Sequence, residues 1–428
     1  MAKMRLKERT RQHIVSAAAA GYPPAMTRVA VIGGGAAGMM AAAFAASGGA
    51  ETLLLEHTPD GGRKILISGG GRCNILPARV DETRFVTDSS PHTLRNIVRS
   101  WPLREQRAFF EEILSQPLVE EVESAKLFPA SDRARDVRDG LLAYAVARGA
   151  RWMLSTTVSG LARAGDGWRI ACTDERTLDA DRVIVATGGL SVPKTGSDGV
   201  GLSLLVALGH TIHEPYAALT PVTAEPAPFA ALAGVSLTVS LVARDAERSA
   251  RARGGFLFTH RGYSGPAVLD VSHVLVRSGG SARLIVQWAA LDADGWERAL
   301  RSDGAGAVAG VVRGEIPARL ADLLIRRAGV DPETKLSQLR RADRVRLVEA
   351  LARCELPWTG HGGYAKAEVT GGGVSLAELD PRTMESRKLP GVYLCGELLD
   401  AFGPIGGYNF LWAWATGRAA GLGAARDD

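Results

Sequence analysis

Gly33, Gly35 and Gly38 stand in the spacing G-x-G-x-x-G, and an acid, Glu56, follows the last of them by 18 residues. These residue types at these intervals suit the holding of a dinucleotide. Gly33 permits a tight turn, Gly35 lets the backbone approach a pyrophosphate, and Gly38 lets a helix sit close on a strand. Glu56 can accept hydrogen bonds from both hydroxyls of an adenosine ribose. The chemistry needs a strand ending at Gly33, a helix starting beside Gly35 and a second strand ending at the acid. The apolar run Arg28–Ile32 reads as the first strand, the small apolar segment Met39–Ser47 as the helix, and Thr52–Glu56 as the second strand, with Ala37 in the glycine turn counted among the cofactor-binding residues. The N–H groups at the helix start would face the phosphates.

Two later segments repeat the grammar. Arg182–Ala186 is a strand running into Thr187-Gly188-Gly189, and Gly391–Cys395 runs into Gly396-Glu397. An A-T-G strand end and a late G-E are features of FAD domains of the glutathione-reductase type, where the late acid lies near the ribityl chain. The predicted cofactor is therefore FAD. Gly406-Gly407-Tyr408-Asn409 then opens a helix running through Trp412, Trp414, Gly417 and Ala420. Its positive end would face the flavin and favour an anionic reduced form. No second dinucleotide domain is visible, so NAD(P)H as donor would have to dock transiently. Gly196-x-x-Gly199-x-Gly201 reads as a loop and helix cap.

The 428 residues are 46% apolar and 23% charged, which excludes a mostly disordered chain. The best apolar stretch, 36–46, is far short of the ~20 residues a membrane span needs. The net charge of +5 resides largely in residues 1–25, where five Lys and Arg face one acid; the remaining residues carry only +1. A nearly neutral body argues against a nucleic-acid partner, since phosphate binding needs clustered cations. Residues 1–27 read as a basic, disordered extension; a mis-set start is a second reading and a targeting peptide a third. Cys73, Cys172, Cys354 and Cys395 are widely spaced and form no C-x-x-C, which fits a reducing cytoplasm and no zinc ribbon. The eight histidines lack ligand spacing, so no metal is expected, and no G-x-S-x-G suggests a serine hydrolase.

Gly62-Arg63-Lys64-Ile65-Leu66-Ile67-Ser68-Gly69-Gly70-Gly71-Arg72-Cys73-Asn74 resembles the signature of the BaiN/YhiN-like family of NAD(P)/FAD-dependent oxidoreductases, which includes aminoacetone oxidase-like flavoproteins. The resemblance continues through 127–132, 258–267, 369–374 and 383–386 to the Gly396-Glu397 and Gly406–Asn409 segments, and is weakest between about 290 and 360. Two departures stand out: a shorter loop at Thr195–Gly199, and Ile405 where the family commonly has threonine. The latter removes a side-chain hydrogen bond to the cofactor but no backbone contact.

The resemblance implies an α/β fold: a Rossmann-like FAD-binding domain at 28–210 and 364–428, interrupted by an inserted β-barrel-like substrate domain at 211–290 and a small helical subdomain at 291–363. The alternation V-S-L-T-V-S-L-V at 235–242 and the run Leu284–Trp288 agree independently with strands in the insertion. The loop after the ribose acid would run beneath the flavin. Arg63 and Lys64 could meet the pyrophosphate or line the pocket, with a solvated charge an equal reading for Lys64. Gly70 would bring backbone to the cofactor. Cys73 is counted among the cofactor-binding residues of that loop; without a partner thiol it reads there as a packing residue and not as a redox thiol. Arg72, Asn74 and His260 are weak catalytic candidates, with a loop-bracing role equally open for His260. Val158 joins Thr187–Gly189 beside the ADP half.

These readings describe a cytoplasmic FAD-dependent oxidoreductase that moves hydride between NAD(P)H or a small organic substrate and the flavin. A small-amine oxidase using oxygen is the alternative; an RNA-acting flavoprotein and a non-catalytic FAD sensor stand behind it. The substrate is expected between the FAD domain and the insertion.

Overall fold

A computed structural model describes residues 26–301 and 306–426. Residues 1–25 of the expected extension lie outside the described residues. The chain divides into two compact units, one running to Pro215 and resuming at Val369, the other spanning Tyr216–Glu368.

The first unit is built on five parallel strands: β1 (Arg28–Ile32), β2 (Glu51–Leu55), β3 (Arg151–Met153), β4 (Arg182–Val185) and β5 (Val392–Leu394), in the order β5-β4-β1-β2-β3. The register explains why distant motifs meet. Ile32 lies opposite both Leu55 and Val185, and Val185 opposite Leu394. Four strands therefore end level, and the turns after them, at Gly33, Glu56, Ala186 and Cys395, open on one edge of the sheet. In open parallel sheets that edge is where ligands bind.

Two helices complete this edge. Helix α1 (Ala36–Ser47) is almost wholly buried because its side chains are nearly all small. Helix α2 (Tyr408–Ala424) crosses it closely: a Cβ on Gly417 or Gly421 would collide with the carbonyl of Ala37 or Ala41. A three-stranded antiparallel meander, 158–180, links β3 to β4.

The second unit holds a seven-stranded antiparallel sheet whose edge strands are Cys354–Leu356 and Gly360–His361. Laid flat, seven strands at ~4.8 Å spacing would put those edges about 29 Å apart. Yet the chain passes from Leu356 to Gly360 in four steps, a reach of about 14 Å. The sheet must curl towards a barrel, as the barrel-like expectation had it.

The expected boundaries need revision. The unit begins at Tyr216 rather than 211 and runs to Glu368 rather than 363. The segment 291–363 is not a separate helical subdomain. Its last strands belong to the sheet, and Trp296, Leu324 and Leu347 from its helices share one buried cluster with Trp288 and Val239 from the strands. The edge strands were hidden by their brevity and by the arginine-rich helical sequence before them.

The segments leaving and re-entering the first unit are tied by a partly buried ionic cluster. Burial would raise the Glu378 carboxyl, but hydrogen bonds from Lys388, Thr211 and His210 outweigh it and hold it at about 2. His210 donates from Nδ1 to Glu378 (2.7 Å), leaving Nε2 to accept from Ser386 (3.0 Å). Burial lowers the His210 pKa against the pull of Glu378, so the neutral ring is the folded form.

Both groups titrate lower in the folded than in the unfolded chain. Their contribution is fully present at neutral pH and is lost as pH falls, first below the ordinary histidine value of 6.5 and then from 4.5 towards 2. Glu378→Gln should lower stability at pH 7 by about 2 kcal/mol and flatten the acid limb of the stability profile. Urea unfolding between pH 7 and pH 2 measures both.

Candidate functional site

The nucleotide cradle is defined by where a side chain would and would not fit. Gly33 turns the chain at φ +105°, and a Cβ there would lie 2.6 Å from the Ala186 carbonyl oxygen. A Cβ on Gly38 would overlap the carbonyl oxygen of Gly33. Gly35, the residue capping α1, has nothing within 4 Å of its Cβ position and leaves the helix without a side-chain cap. The first N–H groups of α1 therefore face open space, the arrangement that suits a phosphate.

Glu56 is buried and aimed by the backbone. It accepts from Gly34 N–H (2.6 Å) on Oε2 and from Thr58 N–H (2.7 Å) on Oε1. Each carboxylate oxygen keeps a further lone pair for a ribose hydroxyl. Ala37 is buried beneath Gly396, whose Cβ position lies 2.8 Å from the Ala37 methyl, so Ala37 sets the packing of the cradle. Gly188 and Gly189 follow β4; a Cβ on Gly189 would strike the Thr370 hydroxyl. The Thr187 hydroxyl is buried without a hydrogen-bond partner and packs against Gly201. Gly199 caps the helix Val200–Ala207, as the glycine spacing there implied.

Glu397 is the centre of a polar lattice. Lys64 Nζ donates to Glu397 Oε2 (2.6 Å) and to Ser191 Oγ (2.6 Å). The Ser191 hydroxyl donates to Glu397 Oε1 (2.5 Å), and the Thr370 N–H and hydroxyl each donate to the same oxygen (3.0 Å). Thr370 Oγ1 in turn accepts from Leu190 N–H (2.7 Å). Lys64 is thus not a free surface charge; it is the counter-charge of Glu397. Arg63 faces the other way and pairs with Asp60 (2.7 Å). Ser191 and Thr370 were missed in the sequence. They lie 127 and 306 residues from Lys64, and only the fold brings them together.

The loop after the ribose acid holds Gly69, Gly70 and Gly71 at positive φ, with nothing near the Gly70 Cβ position. Its side chains are committed to protein. Arg72 lies 4.0 Å over the Phe128 ring and hydrogen-bonds Glu121 (3.2 Å), so it braces the 118–129 hairpin. Asn74, with its amide oriented to satisfy both partners, accepts from Gly407 N–H (2.9 Å) and donates to the Leu76 carbonyl (3.2 Å). It joins this loop to the start of α2. Cys73 is fully enclosed and burial pushes its thiol up to about 12, so it packs and does no thiolate chemistry at neutral pH.

Gly406 (φ +123°) and Gly407 (φ +90°) turn the chain into α2, which also begins without a side-chain cap. The side chains of the next two residues serve the loop itself. Asn409 bonds both the N–H and the carbonyl of Gly403 (2.9 and 3.0 Å), and the Tyr408 hydroxyl bonds Asp81 N–H (3.2 Å) and the Arg79 carbonyl (3.3 Å). What remains for a cofactor here is backbone. Val158 is likewise buried as a side chain at the start of the meander. His260 sits exposed in the two-residue turn between the strands Ser249–Thr259 and Gly262–Ser264 and braces nothing among the described residues. No cluster of metal-ligand type occurs among the described residues, and none of their helices is long and apolar enough to cross a membrane.

A parallel sheet with a glycine-lined strand-to-helix turn, an oriented ribose acid and a late Gly-Glu define a dinucleotide-binding flavoprotein oxidoreductase of the FAD type. The residues fit FAD: open backbone at Gly35 and Gly70, two uncapped helix starts, and an acid at Glu56. The chain belongs to the family described as HI0933-like protein Rossmann domain, which it matches over residues 27–423. It is 31% identical over 362 residues to the ribosomal RNA dihydrouridine synthase of Escherichia coli K12, covering 84% of this chain and 88% of that protein. It is also 31% identical over 373 residues to the 3-dehydro-bile acid delta(4,6)-reductase of Clostridium scindens, covering 85% and 90%. Among solved structures it resembles the 3-ketosteroid-delta4-(5alpha)-dehydrogenase of Rhodococcus jostii RHA1 at 15% identity and a TM-score of 0.47, over 96% of this chain and 99% of that one.

The cradle makes two glycines separable. Gly35→Val meets no neighbour and should fold while losing at least about 100-fold in FAD affinity, roughly 2.7 kcal/mol. Gly38→Val should fail to fold, because its side chain has no space against β1. Circular dichroism and FAD titration of the two variants distinguish the roles. Lys64→Met, which leaves the half-buried Glu397 carboxylate without its cation, should cost about 2 kcal/mol of stability; Lys64→Arg should recover part of it in urea melts.

Proposed function

We propose that this protein is an FAD-dependent reductase of a carbon–carbon double bond conjugated to a carbonyl. The observation that carries this reading is the pair of relatives matched over most of their length. One is named for making dihydrouridine and the other for a delta(4,6)-reduction. A uracil ring and a steroid enone differ in nearly everything except that bond, so the shared bond change is what the common scaffold would serve. The Lys64–Glu397 lattice supports the same reading, since it supplies a rigid, charge-balanced wall for a cofactor to lie against.

Bound in its reduced form, FAD would supply hydride to the carbon remote from the carbonyl, and a proton would complete the adjacent carbon. The protein's share is positioning. Glu56 orients the ribose end, the starts of α1 and α2 offer N–H groups to negative charge, and the Glu397 lattice holds the middle. NAD(P)H docking transiently is the proposed source of electrons, since the described residues offer one dinucleotide fold. Four free cysteines fit a cytoplasmic setting.

Anaerobic mixing with NADPH or NADH should bleach the flavin. The reduced protein should then be reoxidised by a uracil-containing RNA or a 3-keto-4-ene steroid, with a product heavier by two hydrogens in mass spectrometry. Reoxidation by oxygen alone, with both acceptors recovered unchanged, would contradict the reading and favour an amine oxidase.

A further inference from the structure

The overall charge conceals an uneven distribution. Residues 216–368 carry 20 Lys and Arg against 16 acids, while the described part of the chain outside that unit is nearly balanced, with 26 against 27. Within the unit, part of the positive charge is gathered on one face of the sheet. Arg251 and Arg253 alternate along the strand Ser249–Thr259 and so point the same way, opposite the buried Phe256 and Phe258. On the adjacent strand Arg251 faces Val242 and Arg253 faces Ser240. Beyond it, Arg244 lies directly opposite Arg283. Residues directly opposite in an antiparallel pair share a face, so four arginines project from one outward surface within about 15 Å.

That arrangement costs stability. Like charges directly across a pair are unfavourable, and neutralisation is incomplete. Arg283 pairs with Glu355 (2.6 Å), and Asp245 and Glu247 engage Arg248 in the adjoining turn. Among the described residues no ion pair holds Arg244, Arg251 or Arg253. Between the arginines lie Ser240 and Thr238, which can hydrogen-bond, and Val242, Ile285 and Leu257, which are only partly covered or exposed. Closely spaced guanidinium groups on a surface with hydroxyls and apolar ground match a chain of phosphates carrying flat bases.

We propose that this outward sheet face is a docking surface for single-stranded RNA, with Arg244, Arg251, Arg253 and Arg283 on its phosphates. The inference rests on the reductase reading for why a uracil-bearing strand would be brought to this protein. Its test does not depend on reduction.

The probe is a fluorescein-labelled 20-nucleotide poly(U), titrated by anisotropy against the full-length holoprotein over a range of salt. Wild type should bind with strong salt dependence. Arg251→Gln/Arg253→Gln should bind at least about tenfold more weakly, and the slope of log K against log salt should fall by about 1.4, the share of two phosphates on a single strand. Arg251→Lys/Arg253→Lys should retain most of the binding. FAD content and reduction of a small steroid enone should be unchanged in both variants. A companion full-length variant replaces Lys3, Arg5, Lys7, Arg9 and Arg11 with Gln and reports the share of the N-terminal charges. The proposal is overturned if wild type does not bind poly(U), if binding is lost only in the N-terminal variant, or if anionic phosphatidylglycerol vesicles bind while poly(U) does not. Poly(U) binding by this face with no reduction of any enone would leave the surface standing and remove the reductase reading.

Discussion

The cofactor cradle depends on one close approach, the contact between the carbonyl of Gly33 and the backbone of Gly38. Helix α1 must begin almost on top of the end of β1 if its uncapped N–H groups are to sit at the sheet edge. No side chain fits at Gly38 without moving the helix off the strand. The requirement propagates. Because α1 lies so low, α2 can cross it only through Gly417 and Gly421, and Gly396 can pass over Ala37 only without a Cβ. A run of glycine and alanine that looks featureless is a stack of three backbones in contact.

From that stack the rest of the site follows. The level ends of β1, β2, β4 and β5 bring four turns to one edge, and each turn contributes one function: an open phosphate approach, an oriented acid, a glycine pair and the Glu397 lattice. The lattice differs from the others in kind. It balances one half-buried carboxylate with one lysine and three hydroxyl or N–H donors, so its geometry is over-determined. A buried network with every member satisfied rigidifies its surroundings, which is what a cofactor wall needs.

The legible parts of this protein were the local ones. A strand, a G-x-G-x-x-G turn, a helix and an acid within 29 residues announce themselves, because each residue's job is set by its neighbours in sequence. The strand ends at Thr187 and Gly396 could be read for the same reason. The parts that escaped depend on distance. Lys64 could be read as a pyrophosphate ligand, a pocket wall or a surface charge because its partner is 333 residues away. Arg72, Asn74, Tyr408 and Asn409 drew attention as polar residues near glycines, yet their side chains hold loops together. The strands 354–356 and 360–361 were too short to show any alternation. Net charge shows less in another way: a sum near zero over the body of the chain averages a nearly balanced nucleotide unit with a moderately basic inserted one.

Retention of FAD by this cradle is the property on which the rest of the site depends. It is tested most directly by denaturing the purified protein and identifying and counting the released flavin by chromatography against protein concentration. FAD is expected at close to one per chain in protein reconstituted with excess cofactor and then desalted. Release of FMN or of a nicotinamide dinucleotide in its place, or no retained flavin at all, would contradict it.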